Sequence, residues 1–268
     1  MAIKVCLAGA TGWAGSELAR GIARTSDITL VAAVSRTHAG HVLGEVVGDT
    51  RLNCRVYATA GEALGRACDV FVEYTSPASA KSNILAALDH GAHVVVGTSG
   101  LSADDFAEID AAARLKHRGV LAAGNFALTA VLLLKLAELA ARFIPHWEII
   151  DYAHDDKIDA PSGTARELAE RLSKVRHPAR TVPIEQTVGP REARGATISE
   201  SQVHSVRLPG YVISAEAIFG MPDQRLSIRH DSGTSAVPYV DGALLAIRKV
   251  STLVGVHRGL DAVMEIAD

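Results

Sequence analysis

Aromatic side chains are scarce in this chain: 4% of its 268 residues are Phe, Trp or Tyr, although 48% are apolar. The core must therefore be built from Ala, Val, Leu and Ile, a mix that suits a parallel sheet covered by helices. Long uncharged apolar runs are missing as well. The most apolar stretch, Phe126 to Phe143, is cut by Lys135, Glu138 and Arg142. That pattern excludes an ordinary membrane span and favours a buried amphipathic helix. There is no polybasic run and the net charge is −3, so no nucleic-acid partner is expected. Cys6, Cys54 and Cys68 are odd in number and fit no motif spacing, which argues against a disulfide framework and for a reduced, cytoplasmic setting. The 11 histidines show no metal-ligand spacing with them, so no metal site is expected. An apolar strand starting at Ala2 leaves no room for a signal peptide.

The length favours two domains. In the first half, β-branched apolar runs alternate with alanine-rich helical patterns. Strands are expected over 3–7, 29–34, 70–73, 93–96 and 119–122, and helices over 12–25, 78–90 and 102–116. This βαβ alternation predicts an α/β fold with a doubly wound parallel sheet. The pattern then changes. A long apolar helix is expected over 129–143, a strand over 148–152, and a helix over 163–175. Strands over 201–208, 211–219 and 225–229 follow without intervening helices, which predicts a second, α+β domain. A last helix over 237–253 returns to the first domain. The predicted division is residues 1–124 with 238–268, and 125–237 for binding substrate and oligomerising.

Gly9, Ala10, Thr11, Gly12, Trp13, Ala14 and Gly15 lie between the first strand and first helix. Glycines at this spacing allow a tight turn, backbone approach to a pyrophosphate and close helix–strand packing, with free N–H groups facing the phosphates. A glycine-rich turn without a ligand is the plain alternative. The second strand ends Val34, Ser35, Arg36, with no acid for a ribose 2′-hydroxyl. Ser35 can donate a hydrogen bond and Arg36 can pair with a 2′-phosphate, so NADPH is expected over NADH, with NADH still open. Thr75, and Gly97, Thr98 and Ser99, follow two further strands and are expected to flank a nicotinamide. Ser102 is the competing helix cap. Asn125, with Phe126, either closes that pocket or caps the long helix.

The run His154, Asp155, Asp156, Lys157, Ile158, Asp159, Ala160, Pro161, Ser162, Gly163, Thr164 carries the chemistry. A helix start rich in hydroxyls offers N–H groups to a carboxylate, and Lys157 can add a full charge. His154 can move a proton near neutral pH. The plain alternative is a helix capped by Asp159, with His154 and Lys157 neutralising Asp155 and Asp156.

In this order the segments resemble the dihydrodipicolinate reductase family of bacterial lysine biosynthesis, over nearly the whole chain. The most specific element is Lys157-Ile158-Asp159-Ala160-Pro161-Ser162-Gly163-Thr164-Ala165, supported by Gly9–Gly15, Glu73–Pro77, Gly97–Gly100 and Asn125-Phe126. The resemblance implies a Rossmann domain, an α+β domain that builds a homotetramer, and hydride transfer from NAD(P)H to a cyclic unsaturated dicarboxylate. It also implies that Gly12 and neighbours hold pyrophosphate, that Gly97–Ser99 lie near nicotinamide, and that Lys157, Ser162, Gly163 and Thr164 bind substrate. The family usually carries two histidines before the lysine; here the first position is Ala153, leaving His154. A lost general acid costs about 10²–10⁴ in rate. A related reductase of another acidic imine or conjugated alkene, and a non-catalytic nicotinamide sensor, are the competing readings.

Overall fold

The computed structural model describes residues 2–265, which fall into two compact units, residues 2–128 with 235–265, and residues 129–234. Asn125 and Phe126, placed by the sequence at the head of the second domain, group with the first unit.

The first unit is built on seven parallel strands: β1 (Ile3–Ala8), β2 (Ile28–Val34), β3 (Val56–Tyr57), β4 (Val70–Glu73), β5 (His93–Val96), β6 (Gly119–Ala122) and β12 (Gly255–Arg258). Their order is β12-β6-β5-β4-β1-β2-β3. β1 pairs with β2 on one side and β4 on the other, so the winding reverses at its carboxyl end. In open α/β sheets such a switch point is where ligands bind. Alternate residues of these strands are buried on both faces. Phe71, Val94 and Val120 pack against α3 (Ala60–Leu64), α4 (Pro77–Asp89) and α5 (Ala103–Leu115). Val5, Leu7, Val72 and Val95, also fully buried, point to the other face, where α1 (Trp13–Ile22) contacts α8 (Pro238–Lys249). α5 starts on a capping box: the Ser102 hydroxyl accepts the Asp105 N–H at 3.1 Å, and the Asp105 carboxylate accepts the Ser102 N–H at 2.9 Å.

Four strands and helices of this unit fall outside the sequence expectation: β3, β12, α2 (Leu43–Val47) and α3. β12 is Gly-Val-His-Arg, without the apolar alternation of a strand; it forms because its backbone pairs in parallel with β6. The expected helix over 237–253 ends at Lys249, where a 3₁₀ turn leads into β12.

The second unit is a five-stranded mixed sheet ordered β11-β10-β7-β9-β8. Its strands are β7 (His146–Ala153), β8 (Ala196–Ile198), β9 (Ser201–Arg207), β10 (Ile213–Met221) and β11 (Gln224–Ser232). β7 runs parallel to β9 and antiparallel to β10. Two helices, α6 (Leu128–Phe143) and α7 (Gly163–Val175), cover one face. Leu133, Leu134, Ala137 and Ala141 of α6 meet Leu168 and Leu172 of α7 over Ile149, Ala217 and Phe219. These positions recur at three- and four-residue intervals on the helices and every second residue on the strands. β8 was not expected; its three residues are not buried, so no apolar pattern marks them.

Candidate active site

The turn after β1 is fixed by its glycines, and for different reasons. Gly9 has φ +79°, and a Cβ there would collide with the Tyr74 carbonyl; a Cβ at Gly15 would strike the Gly9 carbonyl. Gly12 would meet only the Gly9 oxygen, at 3.3 Å, and is exposed. Packing therefore demands the outer two glycines, whereas the middle one keeps the outer surface of the turn clear. No side chain caps α1 at Gly12, so the first-turn N–H groups of Trp13, Ala14 and Gly15 stay available to an anion.

The end of β2 meets this turn. The Thr11 and Ser35 hydroxyls lie 2.8 Å apart. Ser35 also approaches the Thr37 hydroxyl at 3.3 Å and the His38 ring at 3.4 Å. Arg36 is exposed, and it has no ion pair among the described residues.

A cleft of about 280 Å³ opens over the carboxyl ends of β1, β4, β5 and β6, lined among others by Trp13, Thr75, Thr98, Asn125, Phe126 and Tyr239. Ala14, Gly97 and Ser99 also border it, so most of the cofactor residues expected from sequence come together here. Gly97 is required because a Cβ would strike the Tyr74 ring. That ring packs against Phe126 with centroids 5.9 Å apart. The Tyr74 hydroxyl is buried without a partner, and burial pushes its pKa up. Asn125 borders the cleft, and its Oδ1 accepts the Ala127 N–H at 2.8 Å near the start of α6.

Two residues here were assigned no role from sequence, Tyr239 in the lining and Glu73 behind it. Tyr239, on α8, stands edge-on to Trp13 with centroids 5.7 Å apart. Glu73 is fully buried at the end of β4 and holds Thr75 and Thr98. A charge ending an apolar strand was a visible signal for Glu73; nothing local marks Tyr239.

In the second unit, β7 delivers the chain to His154. Its Nδ1 lies 3.0 Å from Asp155, 2.9 Å from Asp156 and 3.5 Å from the Asp156 backbone N–H. Lys157 is paired with Asp159 rather than with Asp155 or Asp156, and Arg166 stands 3.9 Å from the same carboxylate. Asp159 is not the helix cap. Ser162 caps α7, accepting the Ala165 N–H at 3.3 Å, and is buried. Its own N–H donates to Asp151 at 2.9 Å. What the helix end presents outward are thus Gly163 and Thr164, and a Cβ at Gly163 would meet nothing within 4 Å. Ala153 is fully buried.

Among the described residues no group of three His, Cys, Asp or Glu is placed to hold a metal, and no helix is long and apolar enough to cross a membrane. Burial pushes the Cys54 and Cys68 thiols up to about 11, so neither is an activated nucleophile.

A parallel sheet with a glycine turn and an uncapped helix at its switch point defines a dinucleotide-dependent oxidoreductase. Comparison with known proteins narrows the class. Residues 3–126 match the family model "Dihydrodipicolinate reductase, N-terminus" and residues 129–264 match "Dihydrodipicolinate reductase, C-terminus". The chain belongs to the dihydrodipicolinate reductase family. It is 41% identical over 265 residues to the 4-hydroxy-tetrahydrodipicolinate reductase of Moorella thermoacetica, covering 98% of each chain. It is 36% identical to the enzyme of that name from Listeria welshimeri, covering 98% of this chain and all of the relative. Among solved structures, dipicolinate-bound dihydrodipicolinate reductase from Paenisporosarcina sp. TG-14 superposes with a TM-score of 0.86 at 28% identity, covering 98% of this chain and 100% of that one.

Proposed function

We propose that the protein reduces 4-hydroxy-tetrahydrodipicolinate, the dihydrodipicolinate reductase step of lysine and diaminopimelate biosynthesis, with NADPH as the preferred reductant. When bound, the reduced nicotinamide supplies a hydride. The observation that carries the reading is the cleft at the switch point, open to solvent, with Gly12 free of any packing need for its missing side chain.

The chain's residues have separable tasks. The amides of Trp13, Ala14 and Gly15 bind the pyrophosphate, with Gly9 and Thr11 shaping the turn. Ser35 orients the ribose, and Arg36, exposed and without an ion pair among the described residues, meets a 2′-phosphate. No acid stands at the end of β2 to repel that phosphate, and NADH, which lacks it, still has the rest of the nucleotide site. Thr75, Gly97, Thr98, Ser99, Asn125 and Phe126 seat the nicotinamide. Gly163 and Thr164 offer backbone N–H groups to a substrate carboxylate, and Lys157 exchanges Asp159 for that anion. Ser162 acts behind them as the cap. His154, its Nδ1 beside two carboxylates, is the group that passes a proton to the reduced substrate.

The protein works in the cytoplasm as a homotetramer. What supports assembly is the sheet face of the second unit opposite α6 and α7, where Ile150, Val206 and Ile218 are left half-buried. The buried methyl of Ala153, where the family usually has a histidine, favours a second reading: the same site reducing another cyclic acidic imine.

Following nicotinamide absorbance on mixing protein, NADPH and freshly generated substrate tests the choice. Turnover is expected. Turnover only with a different cyclic imine acid would establish the second reading, and nucleotide binding with no turnover on either would leave a sensor.

A further inference from the structure

Glu73 is the one fully buried carboxylate whose four donors all come from residues at or behind the cleft. Its Oε1 accepts the Thr75 N–H at 2.8 Å, the Thr75 hydroxyl, and the Thr98 hydroxyl at 3.3 Å. Its Oε2 accepts the Asn83 amide at 2.8 Å. The Glu73 carbonyl adds to this grip, accepting the Gly97 N–H at 3.0 Å and lying 3.2 Å from the Thr98 hydroxyl. One residue therefore ties together the loops after β4 and β5, and Thr75 and Thr98 are two of the hydroxyls those loops bring to the cleft, beside Ser99.

A hydroxyl has one proton and two lone pairs. An ionised carboxylate can only accept, so the Thr75 proton is committed to Glu73. The Thr98 proton is committed either to that carboxylate or to the carbonyl of the same residue. The Ser79 hydroxyl, 2.9 Å from Thr75, must then be the donor in that contact. Both threonines are left able only to accept from whatever enters the cleft.

We infer that Glu73 is a positioning residue that fixes the polarity of the nicotinamide end of the site. By taking up the threonine protons it makes Thr75 and Thr98 obligatory acceptors, which select a ring substituent carrying N–H donors: the carboxamide of a nicotinamide. This rests on the proposed dinucleotide-dependent reductase. Glu73 itself never touches the ligand. Burial raises its pKa while the Thr75 and Asn83 hydrogen bonds oppose the rise; those converging donors favour the ionised form that the device needs.

The Glu73→Met variant keeps the volume but removes both acceptor oxygens, so the Thr75 hydroxyl can turn its proton to the cleft. The test compares binding of NADPH with that of its reduced 3-acetylpyridine analogue, which keeps the carbonyl and lacks the N–H donors. Wild type is expected to prefer NADPH by about tenfold or more, the worth of one hydrogen bond to an oriented acceptor. In Glu73→Met that preference is expected to fall to about threefold or less, with the variant folded by its thermal transition. Thr75→Val, which removes the acceptor itself, is expected to lose the preference likewise, and decides the matter if Glu73→Met does not fold. Equal weakening of both nucleotides with the ratio unchanged would mean that Glu73 only holds the loops together, and would overturn the inference. So would a wild type without preference. A wild type that binds neither nucleotide would instead overturn the proposed function, and this inference with it.

Discussion

Arg207 and Asp151 form a buried ion pair beneath the start of α7: Nη2 of the arginine lies 2.7 Å from Oδ2 of the fully buried aspartate. The same Nη2 donates to the Asp159 carbonyl at 2.7 Å, and the same Oδ2 receives the Ser162 N–H and, at 3.2 Å, the Ser205 hydroxyl. β7 and β9 thus hold the loop ahead of α7, proposed above to bind the substrate anion, at Asp159 and Ser162. Asp151 Oδ1 and Arg207 Nε have no partner, so the pair already carries some desolvation cost.

Removing one partner should be severe. Arg207→Met is expected to cost about 3–5 kcal/mol, because it strands a buried carboxylate. Urea unfolding of the variant measures it. A loss below about 1 kcal/mol would mean that water reaches Asp151 readily.

The glycine turn separates packing from binding. Gly9→Ala forces a side chain into a left-handed conformation and against the Tyr74 carbonyl, and is expected to destabilise by about 1–3 kcal/mol. Gly12→Ala needs only a small adjustment against the Gly9 oxygen. It should leave the thermal midpoint nearly unchanged while weakening nucleotide binding tenfold or more. Comparable stability losses in the two variants would contradict this division of labour.

The Arg36 assignment is separable from the rest of the site. Arg36→Ala is expected to weaken NADPH by about 10- to 100-fold, a charged hydrogen bond's worth, and to leave NADH nearly unaffected. Fluorescence titration with both nucleotides decides it; equal losses would remove Arg36 from the phosphate site.

A pH effect follows from His93, whose Nδ1 accepts the Gly119 N–H at 2.9 Å. Burial, with Arg118 nearby, holds its pKa below the ordinary 6.5. The folded state resists protonation more than the unfolded chain does. Its stability contribution is therefore complete above pH 6.5 and is lost as the pH falls through the folded-state pKa. His93→Asn can still accept the N–H but does not titrate, so its midpoint should fall less steeply below pH 6.5. Identical slopes would exclude His93.

Much of this was legible in the sequence because it depends on local chemistry. Apart from the two-residue β3, the strands from Ile3 to Ala122 announce themselves by β-branched runs, the turn at Gly9–Gly15 by spacing, and the start of α5 by Ser102 and Asp105. What was hidden depends on partners distant in the chain. β12 exists through pairing with β6, and Tyr239 reaches the cleft only because α8 returns to the first sheet. Lys157 had three carboxylates within two residues; which one it pairs with is set by loop geometry, and Asp159 takes it. Ser162, rather than Asp159, became the cap because Asp151 fixes its N–H from below.

The most direct measurement is the steady-state kcat/KM of NADPH oxidation with 4-hydroxy-tetrahydrodipicolinate, for wild type beside Lys157→Ala. The expected result is ready turnover by wild type and a loss of roughly 10- to 100-fold in the variant, the worth of a charged contact to the substrate carboxylate. A wild type that binds NADPH without reducing this substrate, or a variant that reduces it equally well, would contradict the account.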